Sequence, residues 1–261
     1  MRLTLIRNAT LVMDYGKRRF LFDPYFAPRF SLRSFTGRSQ NPMVDLPFSH
    51  EQILDGVEIV LISHLHTDHF DAIAQEAIPK SLPIYCQPGD EETIRSKGFS
   101  DVTPIANHLT WNGISIARTE GHHGREAIEG LMGKVSGWVL SADDEPTLYW
   151  AGDTVLCDEV RSAIQLYAPD IMITHSSGAM WNDPTHEGQR GLIVMDAAQT
   201  IETAALLPPS SCLIAHHMEA LDHGTVTRAD LRQAANEAGL SPERLRIPAD
   251  GETLNLAVIG S

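Results

Sequence analysis

The chain has 261 residues, 43% hydrophobic and 21% charged, the composition of a soluble globular protein with enough core to stand without disulfides. Its 34 acidic and 20 basic residues leave a formal net charge of −14, a field that repels phosphate backbones and disfavours a nucleic-acid partner. No apolar run approaches the roughly 20 residues of a membrane span. The N-terminus lacks a signal-peptide pattern and Cys86, Cys157 and Cys212 form no disulfide framework, so the expected location is the cytoplasm.

In chain order, Leu3–Ile6, Ala9–Met13 and Arg19–Phe22 read as short strands. Residues 24–48 carry four prolines and fit no period, as a lid or binding loop would. Ser49 and Gln52 form a capping box for a short helix. Strand and helix then alternate. Glu58–Ile62 is a buried strand, His69–Ile78 a helix, Ile84–Cys86 a strand and Asp90–Lys97 a helix. Ile114–Thr119, Val135–Leu140 and Thr147–Trp150 are strands. Cys157–Tyr167, Val194–Leu207 and Arg228–Ala238 are helices, separated by strands Ile171–Thr174 and Cys212–Ala215, and Leu254–Ile259 closes as a strand. The pattern predicts an α/β protein with mixed sheets, and no composition break divides residues 1–261 into more than one domain.

The most informative stretch is Ser63-His64-Leu65-His66-Thr67-Asp68-His69, directly after the buried strand. In an extended loop, positions two apart share a face, so His64 and His66 can grip one cation together. Asp68 and His69 come at the turn into a helix and point elsewhere, which suits a second cation. Nitrogen and carboxylate ligands fit zinc, and also manganese, iron or cobalt.

His-x-His-x-Asp-His after a hydrophobic strand resembles the signature of the metallo-β-lactamase superfamily. The resemblance implies a four-layer αβ/βα sandwich with the metal site between two sheets. It also implies three further ligands. A third imidazole is expected in Gly121-His122-His123-Gly124, where His123 is preferred because glycine follows it and His122 remains the alternative. Asp153 in Ala151-Gly152-Asp153-Thr154 is the expected bridging carboxylate. His217 in His216-His217-Met218-Glu219 is the expected last ligand, with His216 as the alternative. Within the superfamily, Ile6-Arg7-Asn8-Ala9-Thr10, Asp23-Pro24 and Asn41-Pro42-Met43-Val44-Asp45-Leu46-Pro47 resemble the branch of ascorbate-6-phosphate lactonase and uncharacterised zinc-dependent hydrolases.

The resemblance implies two divalent ions, zinc first and manganese or iron otherwise. One is held by His64, His66 and His123, the other by Asp68, His69 and His217, with Asp153 between them. Such a pair holds a bridging hydroxide that attacks a small ester, lactone or phosphoester. Two carboxylates against two dications leave a local positive balance that draws an anionic substrate. Asp68 and His223 are the candidate catalytic residues, with His223 as general acid. Arg29, Arg33 and Arg38 are candidate substrate clamps, Ser176–Arg190 (with Trp181, Asn182, Asp183, Pro184 and His186) a second lid, and His175 a residue behind the ligands. The alternatives on this fold are an iron-dependent oxidoreductase resembling persulfide dioxygenase, and a nuclease. The expected partner is a small molecule, not nucleic acid or membrane, with a homo-oligomer as a further expectation.

Overall fold

The short N-terminal runs pair as a meander. β1 (Arg2–Arg7), β2 (Thr10–Tyr15) and β3 (Arg18–Phe22) are antiparallel neighbours. The irregular segment follows, then α1 (His50–Leu54), which opens on the Ser49/Gln52 capping box. β4 (Ile59–Ile62), buried along its whole length, runs parallel to β3. After it come α2 (Ala72–Ala77), β5 (Ile84–Cys86), α3 (Glu91–Ser96) and β6 (Val102–Pro104). β7 (His108–Trp111), β8 (Ile114–Gly121) and β9 (Val135–Ser141) form a second meander, with α4 (Ala127–Met132) between the last two. Then follow β10 (Leu148–Trp150), α5 (Asp158–Tyr167), β11 (Ile171–His175), β12 (Met180–Asn182), β13 (Arg190–Leu192) and α6 (Ala197–Leu206). β14 (Cys212–His216), α7 (Arg228–Glu237), β15 (Leu245–Arg246) and β16 (Thr253–Asn255) complete the chain's elements. The computed structural model describes residues 1–125, 127–182 and 190–256.

Two seven-stranded mixed sheets result, in the orders β16-β1-β2-β3-β4-β5-β6 and β15-β14-β11-β10-β9-β8-β7. Phe20, Phe22 and Leu61 of the first sheet meet Trp138, Trp150 and Ile173 of the second across a sealed core. On the outer face of the first sheet, Ile53, Ala74 and Ile94 bring in α1, α2 and α3. Val160, Ala204 and Leu231 attach α5, α6 and α7 to the outer face of the second. This is the expected metallo-β-lactamase architecture of four layers, αβ/βα. β10, β11 and β14 run parallel, so their carboxyl ends emerge along one edge, where the segment after β4 also arrives. Ligand sites of open α/β sheets lie at such carboxyl ends.

Several boundaries differ from the sequence reading. The helix expected over His69–Ile78 begins only at Ala72, because the Asp71 carboxylate caps it, Oδ1 accepting Ala74 N at 2.9 Å and Phe26 N at 3.0 Å. Asp68 and His69 thereby stay in the turn ahead of it. Asp196 caps α6 likewise, so the helix expected from Val194 begins at Ala197. The sequence reading missed β6, β7, β12, β13, β15 and α4. The closing strand is Thr253–Asn255, and residues 257–259 of the expected one lie outside the described residues, as do Asp183, Pro184 and His186 of the expected second lid.

Candidate metal centre

The first sheet delivers four side chains after β4. His64 and His66 share a face as their spacing demands, with ring centroids 4.4 Å apart. His69 turns back so that its Nε2 lies 3.3 Å from Asp68 Oδ2 and 3.2 Å from Asp153 Oδ2.

The second sheet delivers the rest. Beyond β8, the chain must turn sharply to aim one histidine inward. Gly124 takes φ +102°, and a Cβ there would lie 2.6 Å from Ile128 Cγ2. His123 is the member of its doublet that enters the site, with Nε2 3.3 Å from His66 Nδ1 and 3.5 Å from Asp153 Oδ2. His122 faces outward and pairs with Glu129 and Glu159. Asp153 follows Gly152, which holds φ +73° where a Cβ would lie 2.7 Å from Ser136 O. At the end of β14, His216 stays in the sheet ladder opposite His175, and its Nδ1–H donates to Asn8 O. His217 leaves the ladder at φ +65°, placing Nε2 3.3 Å from both Asp68 Oδ2 and His69 Nε2. All seven expected ligand residues therefore converge, and all but the half-buried His66 are buried.

The outer hydrogen bonds fix which ring nitrogens point inward. Ser63 Oγ–H donates to Asp23 Oδ2 at 2.6 Å, so the 2.8 Å contact with His64 Nδ1 requires the ring to be the donor. His69 Nδ1–H donates to Asp23 at 2.6 Å and His123 Nδ1–H to Ile193 O at 2.7 Å. In each case Nε2 is left facing the centre. Burial pushes the imidazolium form of His64 well down and that of His123 to about 4, so both are neutral donors. Burial works against ionised Asp153 and Asp68 too, but His69 and His217 beside them hold both carboxyls well below their usual range. At His69 burial is outweighed by Asp153, Asp68 and Asp23, and its pKa is raised. A divalent cation fits this donor set: His64 Nε2 is buried with no hydrogen-bond partner among the described residues, and it sits with the other inward imidazole nitrogens and two carboxylates.

Two contributors escaped the sequence reading, and a third, His175, it placed behind the ligands. Asn8, in the left-handed region at φ +56°, sets Nδ2 3.1 Å from Asp68 O and 3.2 Å from His217 Nε2. Asp23 anchors His69. His175, fully buried, sets Nδ1 against Asp153 Oδ1 and stacks on His217 with centroids 4.7 Å apart. Asp23 ends a buried strand beside β4, which is the signal that could have found it. His223 is close to the cluster, its ring edge-on to Phe35 at 4.9 Å, and its Nδ1 finds no hydrogen-bond partner among the described residues. Burial lowers its pKa. The neighbouring Asp222 carboxylate is bonded to Phe35, Thr36 and Asn41 instead. Of the three candidate clamps, Arg38 is bound to the carbonyls of Asp222 and Gly224, Arg29 makes an exposed 3.5 Å pair with Asp45, and Arg33 is exposed.

Residues 18–218 match the family model described as a beta-lactamase superfamily domain. UPF0173 protein YddR of Bacillus subtilis (strain 168) is 36% identical over 262 residues, covering 97% of this chain and 99% of that protein. Among solved structures, the isothiocyanate hydrolase from Delia radicum gut bacteria superposes with a TM-score of 0.90 at 36% identity, covering 99% of this chain and 100% of that one. A possible metal-dependent hydrolase from Veillonella parvula DSM 2008 gives 0.91 at 34%, covering 98% and 99%. With its inward-facing nitrogens and carboxylates at the seam of two sheets, the chain belongs to the metallo-β-lactamase superfamily, as one of its metal-dependent hydrolases.

Proposed function

We propose that the chain is a dinuclear hydrolase of small electrophiles. In this reading His64, His66 and His123 hold one divalent cation, Asp68, His69 and His217 hold a second, and Asp153 lies between them. The observation that carries it is the inward aim of the Nε2 atoms of His64, His69 and His123, each fixed by an outer bond through Nδ1–H. Zinc suits these nitrogens and carboxylates best, with manganese or iron next. When bound, two such ions supply an activated water near neutral pH and Lewis acids for the atom under attack.

The side chains do the rest. Asp23 fixes the ring of His69, and His175 occupies Asp153 Oδ1 so that Oδ2 faces His69 and His123. His223 stands beside the cluster with a free ring nitrogen, placed to give the departing atom its proton. Small esters, lactones and phosphoesters fit this chemistry. A second substrate reading, an isothiocyanate, is favoured by the similarity to the isothiocyanate hydrolase and by the surroundings of His223. Phe35 lies against its ring and offers an apolar surface there, which suits an uncharged substrate. Water adds across the C=N bond of R–N=C=S to give a thiocarbamate. Protonation at nitrogen then releases R–NH2 and COS.

Elemental analysis with His123→Ala and His217→Ala tests the metal reading, alongside turnover of lactones, phosphoesters and isothiocyanates. About two zinc or manganese ions held by this cluster, falling in both variants, are expected. One iron per chain would favour the oxidoreductase. Full occupancy in either variant would shift the ligand to His122 or His216. No metal after reconstitution would end the proposal.

A further inference from the structure

A different set of metal-binding side chains lies on the far side of the loop that delivers His123. His122 is about one-third exposed, with its Nε2 3.0 Å from Glu159 Oε2 and its Nδ1 2.8 Å from Glu129 Oε1. Cys157 stands at the N-cap of α5, and ligand atoms of His122, Cys157 and Glu159 all lie within 4.8 Å of one another. They line an open cavity of about 420 Å³.

We infer that His122 Nε2, Cys157 Sγ and Glu159 form a second, separate zinc site, with Glu129 behind it. Imidazole, thiolate and carboxylate are the three ligand classes that zinc takes, and the cavity leaves a fourth position for water. Glu129 supplies what metal-bound imidazoles need, a carboxylate on the other ring N–H that fixes tautomer and orientation. Two features oppose a cation there, and both are offset. The N-terminal end of the α5 dipole is faced by Asp158 and Glu159 in its first turn. The arginines of the cavity wall are turned away, Arg161 to Glu202 at 2.6 Å and Arg125 to Leu156 O at 3.0 Å. Thiolate selects zinc over magnesium or manganese. Binding releases the Nε2 proton and the thiol proton to solvent, while Nδ1–H stays on Glu129.

The position gives the site its consequence. His122 N donates to Thr154 Oγ1 and Val155 N donates to His122 O, both at 2.9 Å. A cation shared by His122 and Cys157 adds a further clasp between the two segments that carry His123 and Asp153.

Metal-free protein titrated with Co²⁺ tests this without reference to catalysis. The seven-residue cluster contains no sulfur, and Cys86 and Cys212 are buried in β5 and β14, so a thiolate-to-cobalt charge-transfer band reports Cys157. The band is expected to saturate, to be displaced by zinc, and to vanish in Cys157→Ser. It should persist in a His64→Ala/His66→Ala variant, so failure of the dinuclear reading leaves this test intact. Glu129→Gln should weaken zinc at this site about 10–100-fold. Should the serine variant fold poorly, Glu159→Gln gives a second route, shifting the rise of the band to higher Co²⁺ concentration; an unshifted titration would exclude Glu159 as a ligand. No band at saturating Co²⁺, or a band that survives in Cys157→Ser, overturns the site.

Discussion

Asp23 shows how a residue outside the ligand set can govern the centre. Its carboxylate takes Ser63 N at 2.8 Å, Ser63 Oγ and His69 Nδ1, so it orients His69 directly and His64 through the serine. Asp23→Asn keeps the shape but can no longer accept from all three, and metal affinity should fall about 10–100-fold. Competition with a chromophoric chelator measures it, and unchanged affinity would remove the orienting role. His223→Ala should behave oppositely, leaving metal content intact while lowering kcat about 10²–10⁴-fold for a substrate with a poor leaving group. Unchanged turnover would end its part in proton transfer. At this scale the sequence was partly legible. The spacing of His64, His66, Asp68 and His69 showed their role because the strand before them is uniformly apolar. Choosing between His216 and His217 depends on a single backbone angle at residue 217, which no composition or spacing encodes.

Asp222 performs the comparable task for an element. The irregular segment 24–48 has few backbone partners, and Asp222 ties its tip to the loop that carries His223. Its carboxylate accepts from Ser34 Oγ, from Phe35 N at 2.9 Å, from Thr36 N at 3.1 Å and Oγ1 at 2.6 Å, and from Asn41 Nδ2 at 3.0 Å. Burial alone would raise its pKa, but these donors hold it well below the carboxylate range. A depressed folded pKa stabilises above the unfolded value and is lost as pH falls through that value toward the folded one. The Asp222 contribution should therefore be complete at neutral pH and begin to fade below about pH 4. Asp222→Ala should cost about 1–3 kcal/mol and open residues 33–40 to proteolysis without loss of metal. Equal protease resistance of variant and parent would show that the segment is held otherwise. The sequence marked this segment only by its lack of period, since the order of its tip comes from Asp222, more than 180 residues away. β7 was missed for another reason, because His108–Trp111 is a half-exposed edge whose alternating polar residues resemble a loop. The central strands were legible because both of their faces are covered.

Across the whole molecule, the two sheets meet through a dry seam of aromatics and, at its edge, through the metal ligands. Phe22 and Trp150 pack at 5.7 Å between the sheets, while His64, His66, Asp68 and His69 face His123, Asp153 and His217 across the opening. Without cations, that edge sets carboxylates and facing nitrogen lone pairs against each other in a buried space. With them, it becomes a cross-link between layers otherwise joined by apolar packing. Metal binding should consequently appear as global stability, since ions that bind the folded chain stabilise it by mass action. At a thousandfold excess over Kd that is about 4 kcal/mol per site. For a chain of this length, such an increment corresponds to a rise in Tm on the order of 10 °C. Calorimetry of stripped and reconstituted protein measures it, and His64→Ala/His66→Ala should abolish most of the difference. Because ligands from both sheets are required, the loss should follow equally from His123→Ala, which lies on the other layer. If stripping left Tm unchanged while the ions still bound, the unfolded chain would hold them as tightly as the folded one, and the account of a site assembled by folding across the seam would be wrong.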